Sequence, residues 1–374
     1  MTATEDVQAI TRQFQIPGDY LDARPLGTGH INDTYVVRVD QAGVIVRYLV
    51  QRLNTAIFRD PQGLMDNMVR VTAHLRARLE AAGTAGVSRR VLTLLPSRTG
   101  TPYHRTADGH LWRALLFIEG AETYEVVDAP WQAEEAGRAF GRFQAMLCDL
   151  PGPRLSETIP QFHDVRRRFD AFEQAVKADV CGRAAGVRAE VSFARARAGL
   201  ADAIDTLQTR EGLPERITHN DTKINNLLFD RATGHGLCVV DLDTVMPGFV
   251  LYDFGDLMRT AASTAAEDER DLARVGLNPS HFEALVRGYL AATQPFLTPV
   301  ERRHLVLGGK LMTFVMGLRF LTDHLEGDVY YKVDRPGHNL DRCRAQFRLL
   351  EAMEVEEDAL VRIVERVQRA LSTG

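Results

Sequence analysis

The sequence predicts an α+β chain of two lobes, a strand-rich N-terminal lobe and a larger helical C-terminal lobe. β-branched runs broken by Gly-rich turns fill the region after a short leading helix. Helical periodicity takes over from Trp131. One compact loop-and-strand section, about 215–250, interrupts the helices.

The elements follow in order. "ARPLGTGHINDTYVVRVDQAGVIVRYLVQRLN" reads as strands, with Gln41-Ala42-Gly43 as a hairpin loop. Residues 61–81 place Leu64, Met68, Val71, Leu75 and Leu79 at helical spacing, with Pro61 suited to the first turn. Further strands are expected at about 90–96 and 110–119. "WQAEEAGRAFGRFQAML" is a helix, and the Arg/Ala-rich segment 160–210 is helical. Thr298 and Glu301 form a capping-box pattern opening a helix over 299–325, and a last helix runs from about 339 to the end. The division expected is a nucleotide-binding lobe over 1–118, a hinge at 119–124, and a catalytic lobe over 125–374 with a helical insertion at about 151–215.

Composition narrows the function. The chain has 374 residues, 45% hydrophobic and 25% charged, which is ordinary for a globular protein. A net charge of −5 argues against nucleic acid as the main partner. The run Arg166-Arg167-Arg168 reads as a solvated helix face. The four cysteines, Cys148, Cys181, Cys238 and Cys343, have no metal-ligand spacing, and a reducing cytoplasm is expected. "MTATEDVQAI" lacks the order of a signal peptide. Leu305–Leu321 is apolar but carries Lys310 and Arg319, and reads as a core helix rather than a membrane span.

The chemistry is concentrated in "ITHNDTKINNLLFDRATGHGLCVVDLDTVMPG". It contains His219-x-Asp221-x-x-x-x-Asn226, two short apolar runs joined by Ala232-Thr233-Gly234, and then Asp241. This is the spacing of the protein-kinase catalytic loop and its metal aspartate. Phosphoryl transfer needs an aligned hydroxyl and neutralised phosphate charge. Asp221 is suited to take the hydroxyl proton, and Asn226 and Asp241 to hold Mg2+. Lys223 is placed to meet the transferred phosphate or to pair with Asp221.

Asp253-Phe254-Gly255 spells the kinase magnesium motif but lies twelve residues after Asp241, beyond Pro247-Gly248. We read it as a decoy. The metal aspartate is expected in Asp241-Leu242-Asp243, with Asp243 where protein kinases have Gly. Asp253 is expected to bond main-chain N–H groups of the catalytic loop or to cap the following helix.

"HNDTKINNLLFD", "VVDLDTVMPG" and "LYDFGDLMR" resemble the aminoglycoside phosphotransferase and choline kinase superfamily. "GLRFLTDHLEGDVYYK" resembles its bacterial N-acetylhexosamine 1-kinases. The resemblance extends from the Gly-rich turn to "HNLDRCRAQFRLL" and implies a two-lobed protein-kinase-like fold, with ATP as cosubstrate and Mg2+. It implies a phosphate flap at Gly27, Thr28 and Gly29, with His30, Asn32, Asp33 and Thr34 adding polar contacts to phosphate or substrate. Arg52 is the expected phosphate cation, with Asp66 as its acidic partner. Adenine is expected against the main chain of the hinge, at Glu119 and Ala121.

On the acceptor side, Arg319 either pairs with Asp323 or points into the cleft to bind sugar hydroxyls. Tyr330 stacks on the sugar or donates to it. Phe162-His163-Asp164 either touches substrate or packs as an ordinary loop. The implied reaction is transfer of the ATP γ-phosphoryl to the anomeric hydroxyl of an N-acetylhexosamine. The alternatives are an aminoglycoside, choline or another amino alcohol as acceptor, or a catalytically inactive kinase-fold binding module. A protein kinase is disfavoured, since no Ala-Pro-Glu follows and only about ten residues separate Asp241 from the next helix.

Overall fold

Ala42 and Gly43 have φ of 57° and 89°, the left-handed pair that a two-residue hairpin loop requires. They join β2 (Asp33–Gln41) to β3 (Val44–Arg52) in the expected place. In this computed structural model, residues 3–26 and 32–373 are described.

The chain starts with α1 (Ala3–Thr11) and β1 (Asp19–Pro25), which pairs with β2. After β3 come α2 (Pro61–Ala81), α3 (Val87–Arg90), β4 (Leu94–Leu95), β5 (His104–Arg105), β6 (Leu111–Leu116) and β7 (Ala121–Glu122). The main sheet is antiparallel, in the order β1-β2-β3-β6-β4, with β5 also on β6. One face is packed by Val7, Ile10 and Phe14 of the leading segment against Val37, Val39, Val50, Trp112 and Ala114. The alternation along β2 and β3 dictates this, because every second residue faces the core. The strand expected over 90–96 is only Leu94–Leu95, since Val87–Arg90 coils into a single helical turn.

The helical part contains α4 (Pro130–Leu147), α5 (Val165–Ala178), α6 (Arg188–Ala196) and α7 (Ala203–Glu211). The strands β8 (Arg216–Thr218), β9 (Leu227–Asp230), β10 (Gly236–Val239) and β11 (Met246–Gly248) follow. Then come α8 (Val250–Ala261), α9 (Pro279–Thr293), α10 (Pro299–Arg303), α11 (Leu305–Glu326), α12 (His338–Val355) and α13 (Glu357–Ser372).

Two long helices expected from the sequence are each broken in two. The capping box is present, with Thr298 N donating to Glu301 Oε2 at 2.6 Å. His304 and Glu356, however, leave helical geometry, and neither break interrupts the apolar periodicity that sequence reasoning follows.

The chain divides into two compact units. Unit 1 comprises residues 1–122, 149–160 and 229–246, and unit 2 comprises 123–148, 161–228 and 247–374. Residues 151–160, the start of the expected insertion, thus fall within unit 1. In unit 2, α11 packs against α5, α8 and α12. It is long and apolar enough to cross a membrane by length and composition, and 72% of its most apolar window is buried here. Its Lys310 is neutralised by Glu357 at 2.7 Å.

Candidate active site

The catalytic loop leaves β8 at Thr218 and is fixed from beneath by Asp253. The Asp253 carboxylate accepts N–H bonds from His219 at 2.8 Å and Asn220 at 2.7 Å, and a third from Gln144 Nε2 at 2.7 Å. Its carbonyl accepts from Thr222 Oγ1 at 2.6 Å. Asp253 is fully buried, and burial pushes its pKa up, partly offset by His219 and these donors. The expected loop-bonding role is therefore realised, while the helix-capping one is not. Phe249 is the N-cap of α8, and Asp253 lies within the first turn.

The rest of the Asp-Phe-Gly triplet is structural too. Phe254 is fully buried against Phe282 and Tyr289. A Cβ on Gly255 would lie 2.2 Å from the carbonyl oxygen of Gly308, so this glycine lets α8 and α11 cross closely.

Asn220 adopts left-handed geometry (φ 65°), which Asn tolerates better than most residues. Its amide is looped onto Thr218, with Oδ1 accepting from Thr218 Oγ1 at 3.1 Å. Gly248 makes room for this turn, since a Cβ there would meet Thr218 Oγ1 at 2.3 Å. His219 is buried between the rings of Phe140 and Phe143 and accepts the Asp221 N–H at Nδ1 (3.2 Å).

The turn presents Asp221 with its side chain 27% exposed. Lys223 Nζ lies 3.3 Å from Asp221 Oδ2, and Asn226 Nδ2 donates to Asp221 O at 2.8 Å and Oδ2 at 3.0 Å. Burial opposes ionisation of Asp221. Lys223, His219 and Asn226 outweigh it and hold the carboxyl below the usual aspartate range. The residue is thus an ionised base with one donor-rich flank.

Asn226 spends its Nδ2 on Asp221, so its Oδ1 is the atom left for a cation. In unit 1, Asp241 follows β10 in a left-handed conformation (φ 58°) that opens the short turn Leu242–Thr244. A strained Asp at a strand end, and an Asn whose amide nitrogen is engaged, are oxygen donors of the kind Mg2+ takes.

Arg319, expected on the acceptor side, lies in unit 2 among aromatic rings. Its guanidinium lies 5.0 Å from the ring centre of Phe162, 5.6 Å from Tyr330 and 5.4 Å from Tyr331, with Tyr330 OH at 3.5 Å. The pairing with Asp323 is absent among the described residues. Asp323 instead accepts the N–H groups of Val329, Tyr330 and Tyr331 at 2.7–3.0 Å and Asn339 Nδ2 at 2.8 Å. Asp323 thereby pins the loop that carries both tyrosines. Next to Phe162, His163 Nε2 meets Asn220 O at 2.8 Å, and Asp164 caps α5 through Arg167 N.

Of the residues expected to meet nucleotide, Gly27, Thr28 and Gly29 of the flap lie outside the described residues, as does His30. Arg52 pairs with Asp33, its cross-strand neighbour, at 2.8 Å (Nε to Oδ2). The expected partner Asp66 instead accepts from Gln62 one turn away at 3.0 Å. The β2–β3 register decides this, because it sets Asp33 directly opposite Arg52. Asn32, expected at substrate, is committed within unit 1. Its Nδ2 donates to Asp243 at 2.6 Å and its Oδ1 accepts from Asn54 N at 3.0 Å. At the hinge, the Glu119 carbonyl accepts from Arg89 at 3.0 Å, and Ala121 lies on β7 opposite Asp230.

A family model described as the phosphotransferase enzyme family (APH) matches residues 22–296. The chain belongs to this phosphotransferase family. Solved structures share its fold at low identity. An aminoglycoside phosphotransferase from Alicyclobacillus acidocaldarius is 14% identical with a TM-score of 0.57, covering 98% of this chain and 96% of that one. A choline kinase from Cryptosporidium parvum is 14% identical with a TM-score of 0.55, covering 96% and 97%. A spectinomycin phosphotransferase in complex with ADP and spectinomycin is 11% identical with a TM-score of 0.53, covering 97% and 98%. The strand-rich sheet followed by helices is the protein-kinase-like fold of these phosphotransferases.

Two residues of this phosphotransferase, Arg113 and Gln144, escaped the sequence reading. Arg113 on β6 is buried and paired with Asp243, its Nη2 donating to Oδ2 at 3.0 Å and its Nε to Gln51 at 2.9 Å. A lone Arg inside "LWRALL" was the available signal. Gln144 links Asp253 to Tyr289 OH (2.6 Å), and nothing in an amphipathic helix distinguishes such a glutamine. His163, weighed above as a substrate contact or a loop residue, holds the Asn220 carbonyl of the loop.

Proposed function

We propose that this chain is a small-molecule kinase that transfers the ATP γ-phosphoryl to the anomeric hydroxyl of an N-acetylhexosamine. The observation that carries this reading is Asp221, a half-buried, ionised base on a loop pinned by Asp253, with His163 joining that loop to the Phe162–Arg319 cluster. A cationic amino alcohol would meet a guanidinium there with no carboxylate partner among the described residues. A sugar offers hydroxyls and a ring face to the same groups.

In the reaction, Asp221 orients the acceptor hydroxyl and takes its proton. The acceptor oxygen forms a bond to the γ-phosphorus while the bond from that phosphorus to the β–γ bridging oxygen breaks, and ADP leaves with the electron pair. Lys223 holds Asp221 ionised beforehand and faces the phosphoryl group during transfer. Asn226 and Asp241 would hold Mg2+, which when bound supplies neutralisation of the phosphate charge. Arg52 is the phosphate cation of the strand side. Its exposed pair with Asp33 costs ~1 kcal/mol or less to exchange for phosphate. The resemblance assigns the phosphate flap to Gly27, Thr28 and Gly29, and the adenine edge to the main chain of Glu119 and Ala121. Arg319 and Tyr330 bind the sugar.

The test is ATP consumption with Mg2+ across N-acetylglucosamine, N-acetylgalactosamine, glucose, galactose, choline and kanamycin, with the phosphorylated carbon located by NMR. Turnover of the N-acetylated sugars at carbon 1 is expected. Turnover of the cationic acceptors alone would remove the sugar assignment and leave the role of Asp221 standing.

A further inference from the structure

The acceptor half-site holds a second guanidinium. Arg168 donates from Nε (3.2 Å) and Nη2 (2.8 Å) to the carbonyl of Phe162, the residue whose ring lies under Arg319. Arg168 and Arg319 thus bracket Phe162, one on its main chain and one on its ring.

Neither has a carboxylate partner among the described residues. The chain's most deeply buried arginines are treated otherwise. Arg113 is paired with Asp243, and Arg259 with Asp256 and Glu267. Two neighbouring cations without a counter-charge raise the cost of keeping either one desolvated. Burial, and then the nearness of Arg319, pull the Arg168 pKa down to about 10. Two buried polar atoms beside the pair also lack hydrogen-bond partners, His163 Nδ1 and Tyr331 OH. His163 is 5% exposed.

A half-site with this surplus of positive charge is matched by a ligand that brings negative charge. We propose that Arg168 and Arg319 form an anion-receptive subsite, so that among sugar acceptors, N-acetylhexosamine derivatives included, the chain favours one carrying a carboxylate ahead of its neutral parent and far ahead of its amine. This rests on the sugar-kinase reading and narrows it by charge. The planar guanidinium fork suits a carboxylate, and both arginines are half-buried, so the interaction is screened less than it would be at an open surface.

The experiment measures equilibrium binding of galacturonate, galactose and protonated galactosamine to the full chain by NMR titration, without nucleotide, and then kcat/KM for the same three sugars with ATP and Mg2+. The expected order of affinity is galacturonate, galactose, galactosamine, with about tenfold between the first two, as one charge-assisted bond provides. R168Q and R319Q are expected to collapse the galacturonate-to-galactose ratio toward one while leaving ADP affinity unchanged, and R168K is expected to keep part of the preference.

Equal binding of the three sugars by the native chain would overturn the proposal, as would a preference that survives in both glutamine variants. A carboxylate preference in binding without transfer to any sugar would overturn the sugar-kinase reading and leave the subsite intact. Transfer to sugars with no charge preference would do the reverse.

Discussion

The carboxylate of Asp253 accepts the main-chain N–H groups of both His219 and Asn220, the two residues that precede Asp221, the proposed base. The aspartate of the apparent magnesium motif is therefore spent on shaping the loop. In D253N one amide end must face a donor with a donor. We expect a loss of ~2–4 kcal/mol in urea unfolding and a fall in kcat, since charge-assisted bonds of this kind contribute ~1.5–3 kcal/mol each. If D253N instead keeps its stability and loses only Mg2+ affinity, Asp253 is the metal ligand and Asp241 is not.

Asp221→Asn removes the base without removing its neighbours. Phosphoryl transfer should fall by ~10²–10⁴-fold, with ADP binding within about twofold of the native value. The pH profile is a second check. Lys223 and its neighbours depress the Asp221 pKa despite burial, so its stabilising effect is present above the ordinary aspartate value and is lost as pH falls through the lowered one. The base is then ionised throughout the neutral range. An acid limb in kcat/KM between about pH 5 and pH 7 that disappears in D221N would contradict this.

The sequence displayed the chemistry more clearly than the architecture around it. The expectation placed on His219, Asp221, Asn226 and Asp241 rests on the fixed intervals that phosphoryl transfer requires along the chain. The hairpin at Ala42-Gly43 and the helix Pro61–Ala81 were legible because turn chemistry and apolar period act locally. What stayed hidden depends on contacts distant in sequence. Arg52 finds Asp33 rather than Asp66 through strand register, and Asn32 is drawn to Asp243, 211 residues away. The breaks at His304 and Glu356 leave the apolar spacing unchanged, so periodicity runs straight through them.

His163 gives a pH-dependent stability that should be separable from catalysis. It is buried and donates to Asn220 O. Burial drives its pKa from 6.5 to about 3, with Arg319 and Arg168 opposing protonation and Asp221 favouring it. A histidine with a depressed folded pKa binds its proton more readily when unfolded, so stability declines as pH falls below 6.5. Between pH 6.5 and about pH 5 this one residue should account for ~2 kcal/mol, at ~1.36 kcal/mol per pH unit. H163Q keeps a donor for Asn220 O but does not titrate, and its urea stability should vary less over that window. An unchanged slope in H163Q would show that His163 is not the titrating group.

The buried pair of Arg113 and Asp243 carries the last prediction. Asp243 stands two residues after Asp241, at the centre of the turn that Asp241 opens, and it is held by Arg113 and Asn32. Removing one partner leaves a buried charge uncompensated, so R113A and D243A should each cost ~3–5 kcal/mol in urea unfolding. The double variant removes both charges and should cost less than the two single losses added together. If the turn is what aims Asp241, D243N should also raise the Mg2+ concentration needed for half-maximal activity, with little change in KM for the acceptor. Simple additivity in the double variant would mean that the two side chains act independently. An unchanged Mg2+ requirement in D243N would mean that the turn keeps its shape without them.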